Sequence, residues 1–305
     1  MVNKVVSLEQ AVDQYINNGD SVVMGACLEP VIPFAAAYEC IRQNKQELTL
    51  IAPISDILFD IMIGAGSVSK LITAWSGNVS AGLGYNFRRS IEQGIPKRIE
   101  VEDHSNFSLG LALLAGAMGV PFLPMKSLLG SDLLNSNPTL KVFSDPFSDE
   151  KLVYVPALNP DVTVIGVQRS DEQGNAHLWG NIGLAQDAAL ASRKVVILAE
   201  EIVSNETITS DPNRIIIPGF KVTAVVHCPG FSHPSPLQGY YKRDHSFFHN
   251  YHKETNDFQS FENWLKKWVL NIGSHEDYLA QLEGRIEDLK IKNTSLAAPV
   301  NYAAE

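Results

Sequence analysis

Glu102-Asp103-His104-Ser105-Asn106 places two carboxylates, an imidazole, a hydroxyl and an amide within five positions. They end a short strand pattern, IEVED, and open an Ala/Gly/Leu-rich helical stretch. Ligands of open α/β sheets gather at the carboxyl ends of strands, so this cluster is placed to bind or to catalyse. Asp103 would serve as a base if burial favoured its neutral form. The same residues also suit an ordinary helix start, with Ser105 as N-cap and Glu102 and Asp103 complementing the helix dipole. Trp75-Ser76-Gly77-Asn78 follows another strand pattern and carries the same two readings. Gly25-Ala26-Cys27 leads from the strand SVVM toward a helix. Small residues there let backbone N–H groups approach an anion or oxyanion, or simply form a tight turn. Cys27 is either a nucleophile on that turn or a small apolar filler, the commoner role.

Other candidate motifs point away from chemistry. His245, His249 and His252 would share one face of a helix, an arrangement zinc can use. They lack an HExxH context and a carboxylate-rich neighbourhood, so a solvated or interface helix is the simpler reading and no metal is expected. Asp171 through Asn175 reads as a turn in which Gly174 and Asn175 supply positive φ. Gly64-Ala65-Gly66-Ser67-Val68-Ser69 lacks the third glycine of a dinucleotide fingerprint and follows a helix pattern. Gly77 through Gly82 has P-loop spacing without the Lys-Ser/Thr that must follow.

The elements that position these residues alternate. Ser7 and Gln10 form a capping-box pattern before LEQAVDQYI, Asn18-Gly19-Asp20 breaks that helix, and SVVMGA follows as a strand. A second helix is expected near Pro30 and Pro33. LTLIAPIS (48–55), KLITAW (70–75), LVYVPAL (152–158), VTVIGVQ (162–168), KVVILAE (194–200) and KVTAVVH (221–227) are near-continuous apolar runs, the pattern of strands buried on both faces of a parallel sheet. The expected fold is an open, mainly parallel α/β sheet flanked by helices. We expect residues 1–243 to form that domain and 244–305 a helical C-terminal extension packed on it, frayed at its end.

The 305 residues allow one large domain or two ordinary ones at about 150 residues each. Lys+Arg 24 against Asp+Glu 34 gives a formal charge of −10, which argues against non-specific nucleic-acid binding. Cys27, Cys40 and Cys228 make no paired framework, and no run approaches a membrane span, so a cytoplasmic protein is expected.

In order along the chain, Gly19-Asp20 with the Gly25 turn ending at Pro33, Arg88-Arg89 with Glu92-Gln93-Gly94, Ala117 through Pro124, Gly130 through Leu134, Asp145-Pro146-Phe147, Pro156-Ala157-Leu158 with Pro160-Asp161, Asp171 through Asn175, and Glu200 through Val203 form one series. The series resembles the α subunit of family I coenzyme A transferases, glutaconate branch, from about residue 8 to 280. Family members carry Gly-Gly-Phe where this chain has Gly25-Ala26-Cys27. The family's attacking glutamate belongs to the β half, in a Ser-Glu-Asn-Gly element that this chain lacks. The resemblance therefore implies half an enzyme, working with a β subunit in an α2β2 or larger assembly. It implies coenzyme A as substrate rather than as a bound cofactor, and transfer between an acyl-CoA and a short-chain or dicarboxylic acid through a glutamyl-CoA thioester. Gly25 and Ala26 are then oxyanion candidates. Ser76, Glu102, Ser105 and Asn106 are pocket candidates, and Asp103 is the one candidate for catalysis. Hydrolysis or decarboxylation of a CoA thioester on the same fold remains open, as does a non-catalytic binding subunit.

Overall fold

Apolar runs bounded by turns become neighbouring strands here because helices cover both faces of the sheet they form. The computed structural model describes residues 3–291. Its strands are β1 (Ser21–Met24), β2 (Leu48–Ala52), β3 (Val68–Thr73), β4 (Glu100–Asp103), β5 (Phe122–Met125), β6 (Lys141–Ser144), β7 (Lys151–Pro156), β8 (Val162–Ser170), β9 (Ala176–His177), β10 (Lys194–Ile202), β11 (Ile215–Ile217) and β12 (Ala224–His227). Its helices are α1 (Leu8–Tyr15), α2 (Phe34–Arg42), α3 (Ile57–Gly64), α4 (Tyr85–Gln93), α5 (Asn106–Met118), α6 (Leu133–Ser136), α7 (Ala185–Ala191), α8 (Asn205–Thr209), α9 (His245–Glu254), α10 (Phe258–Leu265), α11 (His275–Gln281) and α12 (Arg285–Leu289).

Seven strands run parallel in the order β12-β10-β8-β1-β2-β3-β4. The central β8 and β10 are the longest, and all but two residues of Val162–Ser170 and Lys194–Leu198 are buried, as runs covered on both sides must be. β9 and β11 continue the sheet antiparallel beyond the end of β1, with His177 and Ala176 paired to Arg169 and Ser170. The Asp171–Asn175 turn makes that hairpin: Asp171 Oδ1 accepts from Gln173 N–H and Asn175 N–H, both at 2.9 Å. At the other edge β4 is almost all charge, which blunts an exposed edge, and Lys70 on β3 bridges Glu100 and Glu102 at 2.9 and 2.8 Å.

LVYVPAL departs from expectation. It forms β7 of a separate three-stranded antiparallel sheet, β5-β7-β6, rather than a strand of the parallel sheet. Its burial alternates: Val153 and Val155 face a small core with Ala112, Met125 and Leu140, while Tyr154 turns outward and stacks on Phe122 at 4.4 Å. Smaller shifts occur at ends. Pro30 lies in a loop and α2 starts at Phe34, while KVTAVVH begins as a 3-10 turn before β12.

The Ser7–Gln10 capping box is present, with both bonds at 3.1 Å. α9 to α11 bury Phe248, Tyr251, Phe261, Trp264 and Tyr278 in the core that covers the sheet, and Ile286 and Leu289 of α12 pack against it half-buried. Arg285 clamps Asp244 with two bonds of 2.8 Å, tying the start of α9 to α12. The expected frayed tail from 292 onward lies outside the described residues. No described helix is long and apolar enough to cross a membrane.

Candidate functional site

The sheet order reverses between β1 and β8: the chain winds from β1 toward β4 in one direction and from β8 toward β12 in the other. Ligands of open α/β sheets bind outside the carboxyl ends at such a reversal, and the residues there are Gly25, Ala26 and Cys27. Gly25 has φ +91°, and a Cβ on it would stand 2.3 Å from Ser55 Oγ. Ser55 is fully buried after β2 and donates to Met24 O at 2.9 Å, so the two turns lock each other. Gly183 approaches closely enough that its Cβ would meet Ala26 O at 2.3 Å, and Leu184 N–H donates to that oxygen at 2.8 Å. Val31, further along, holds φ +61°, an outlier for a β-branched residue, and donates its N–H to Pro236 O at 3.0 Å. With the Ala26 carbonyl committed, the Ala26 and Cys27 N–H groups have no acceptor among the described residues. They are the donors that an oxyanion at the switch point would need. Burial pushes the Cys27 thiol up to about 12, which favours the small apolar filler of its two readings.

At the end of β4 the five-residue cluster divides. Glu102 is turned into the protein, Oε2 on Lys70 at 2.8 Å and Oε1 3.0 Å from His104 Nε2. The His104 hydrogen bond, with Lys70 beside it, holds the Glu102 carboxyl down to about 2. His104 is buried, with Nδ1 3.1 Å from Ser108 Oγ. Asn137 closes the network by donating to Asp103 O at 2.8 Å. Ser105 caps α5, accepting from Ser108 N–H at 3.0 Å while Ser108 Oγ accepts from Ser105 N–H at 2.9 Å. Asn106 and Asp103 are exposed, so the burial that a basic Asp103 required is not supplied by this chain. His104, counted in the cluster from the sequence, was given no role of its own there. Its signal was alternation with Glu102 on one strand face and the i,i+4 spacing to Ser108.

Ser76 and Asp103, which follow adjacent strands, line one hollow of about 390 Å³. Its other walls are Leu83, Phe87, Ile91 and Val101, with Arg88 at the rim. Ser76 Oγ is buried and has no hydrogen-bond partner among the described residues. The Gly25 turn is not part of this hollow: β1 and β4 are three strand spacings apart, about 14 Å. Exposed Trp75, Val79 and Leu83 lie on the loop that follows β3 and Phe107 in the first turn of α5 after β4, while Ile182 lies on the loop between β9 and α7. On α9, His252 stacks on Tyr85 at 4.7 Å while His245 and His249 face solvent, so the three imidazoles do not converge.

The coenzyme A transferase family model matches residues 5–228. The chain is similar to one subunit of the 3-oxoadipate CoA-transferase of Pseudomonas knackmussii, 36% identical over 92% of this chain and 99% of that protein. The crystal structure of glutaconate coenzyme A-transferase from Acidaminococcus fermentans superposes with a TM-score of 0.90 at 31% identity, covering 95% of this chain and 96% of that one. A decarboxylase, AibA/AibB, is similar with a TM-score of 0.74 at 26% identity, over 87% of this chain and all of that one. A match over most of the chain, on a fold whose switch point presents free amide donors, leads to one conclusion: the chain belongs to the coenzyme A transferase family and is one subunit of an enzyme.

Proposed function

We propose that this chain is the α subunit of a heteromeric CoA-transferase that moves coenzyme A between an acyl-CoA and a short-chain or dicarboxylic acid. The observation that carries the reading is a half-built site. The carboxyl edge offers two unpartnered amide N–H groups, a buried hydroxyl and an apolar-walled hollow, and its exposed carboxylate, Asp103, stands about 14 Å from those amides. Such an edge can stabilise and enclose a reaction but needs its nucleophile from elsewhere. A relative that is itself one subunit of its enzyme, and the apolar residues along the rim, support a β chain as that source.

The chemistry then runs in steps. A glutamate carboxylate of the β chain attacks the thioester carbonyl, the C–S bond breaks, and CoA leaves as the thiolate. The thiolate attacks the glutamyl carbonyl of the resulting anhydride, releasing the acyl carboxylate and leaving a glutamyl-CoA thioester. An acceptor carboxylate enters by the reverse route. Ala26 and Cys27 N–H groups meet the oxyanion of each tetrahedral stage, Ser76 lines the hollow beside Asp103, and Ser105 and Asn106 border the entrance where Asp103 faces the acceptor. Glu102 fixes the β4 end through Lys70 and His104. The walls exclude water, to which both activated intermediates are vulnerable.

The test is to co-purify this chain with its β partner and supply acyl-CoA with isotopically labelled acetate. Labelled acetyl-CoA formed in step with loss of the donor thioester, with ping-pong kinetics and with neither chain active alone, is the expected result. Free CoA without a new thioester would make the enzyme a hydrolase. Carbon dioxide release would make it a decarboxylase. A chain that binds its partner without turnover would be a non-catalytic subunit.

A further inference from the structure

We propose that the free edge of β6 pairs with the same edge of a second copy of this chain, merging two three-stranded sheets into one and joining two α–β complexes as α2β2. The proposal goes beyond the reaction assigned above and does not depend on it. β6 ends the small sheet, with β7 as its one strand neighbour among the described residues. Asp145 donates its N–H to Glu150 O at 3.0 Å across the hairpin, so Lys141, Phe143 and Asp145 turn their backbone groups toward β7. Val142 and Ser144 then turn theirs outward, and both residues are exposed, Val142 by 51%. Two other open edges carry a device against pairing: β4 is mostly acidic, and β5 contains Pro124. β6 has neither, and just beyond it Phe147 stands 95% exposed.

A two-fold axis permits three antiparallel registers in which the outward groups bond: Val142 to Val142, Val142 to Ser144, or Ser144 to Ser144. Charge selects the second. Only there does Lys141 stand opposite Asp145 of the second copy, an ion pair that the symmetry repeats. The first register sets Lys141 against Phe143, and the third sets Phe143 against Asp145. In the selected register Val142 exchanges both backbone bonds with Ser144 of the second copy, and Phe143 meets its own symmetry mate. That contact extends an outer aromatic row in which Phe122 lies 6.0 Å from Phe143 and 4.4 Å from Tyr154.

The test is sedimentation velocity of the co-purified α–β complex, with a variant for each part of the argument. Wild type should sediment as α2β2. Val142→Pro removes an outward donor while leaving the bonds to β7 in place, and Lys141→Asp sets like charges opposite each other. Each should weaken the association at least about tenfold. Lys141→Asp, at an exposed position, carries the test should Val142→Pro unfold. Phe143→Cys places two thiols across the two-fold at a Cα separation of about 4.5 Å, within disulfide reach, so mild oxidation should link two copies of this chain. Val142→Cys, on the other face and opposed by Ser144, should not link, and the native Cys27, Cys40 and Cys228 are buried. A complex that stays αβ, an α2β2 assembly that Lys141→Asp leaves intact, or linkage through Val142→Cys in place of Phe143→Cys would overturn the proposal. A β chain seated on β6 instead would show as loss of the αβ pair itself in Lys141→Asp or folded Val142→Pro, and that result too would overturn it.

Discussion

Gly25→Ala tests the geometry of the switch-point turn. The backbone there has φ +91°, a region in which an L-residue loses about 1–2 kcal/mol. The new methyl would also stand 2.3 Å from Ser55 Oγ, 3.0 Å from its Cβ and 3.3 Å from its Cα. Ser55 is buried and bonded to Met24 O, so it cannot swing into solvent, and forcing a methyl into packed space adds about 1–3 kcal/mol. The sum is about 2–5 kcal/mol of lost stability. Ser55→Gly alone should lose about 1 kcal/mol with its hydrogen bond, but it removes the two closest atoms. The double variant should then be more stable than the sum of the singles by about 1–2 kcal/mol, with the φ penalty remaining. Urea unfolding followed by circular dichroism measures all four corners of the cycle. Additivity within about 0.5 kcal/mol, or a Gly25→Ala chain as stable as wild type, would refute the interlocked turns.

Glu200, at the end of β10, gives a pH test of opposite sign to Glu102. Burial pushes the Glu200 carboxyl up to about 7 although Gly230 N–H donates to it at 2.8 Å. The folded state therefore holds an extra proton between about 4.5 and 7, and stability falls as pH rises through that window. The loss should be on the order of 3 kcal/mol for wild type and largely absent in Glu200→Gln, read from urea midpoints at pH 5 and pH 8. Glu102 is held down to about 2 by His104 and Lys70, so its contribution is full above about 4.5 and is lost as pH falls toward 2. Glu102→Gln should flatten that acid limb of a midpoint-against-pH curve. Ser105→Ala should lose about 1 kcal/mol through the α5 cap, seen as a lowered urea midpoint. Asp103→Asn should change stability by less than about 0.5 kcal/mol, since its side chain bonds nothing among the described residues, yet lower turnover of the complex at least about tenfold.

Much of the scaffold was legible because β8 and β10 are long apolar runs that only a doubly covered strand can bury, and because Ser7 with Gln10 spells its cap in four residues. LVYVPAL misled for a physical reason. Tyr154 and Phe122 are apolar residues on an outer face that cover each other, so a half-buried antiparallel strand looked continuously apolar. The turns after β1, β3 and β4 could be picked out as candidate sites one at a time. Their grouping could not, since Ser76 meets Asp103 only because β3 and β4 are neighbours while a loop and α4 intervene in the chain. Phe87 and Ile91 stand i,i+4 on α4, but nothing in their spacing says which strand end they cover.

The central claim is that this chain completes a site whose nucleophile a partner supplies. The direct measurement is peptide mapping by mass spectrometry of the α–β complex after incubation with acyl-CoA, alongside samples treated with hydroxylamine or borohydride. A CoA thioester on one glutamate of the partner chain, converted by either reagent and absent from every peptide of this chain, is the predicted result. Turnover with no adduct on the partner, or an adduct on a carboxylate of this chain, would contradict it.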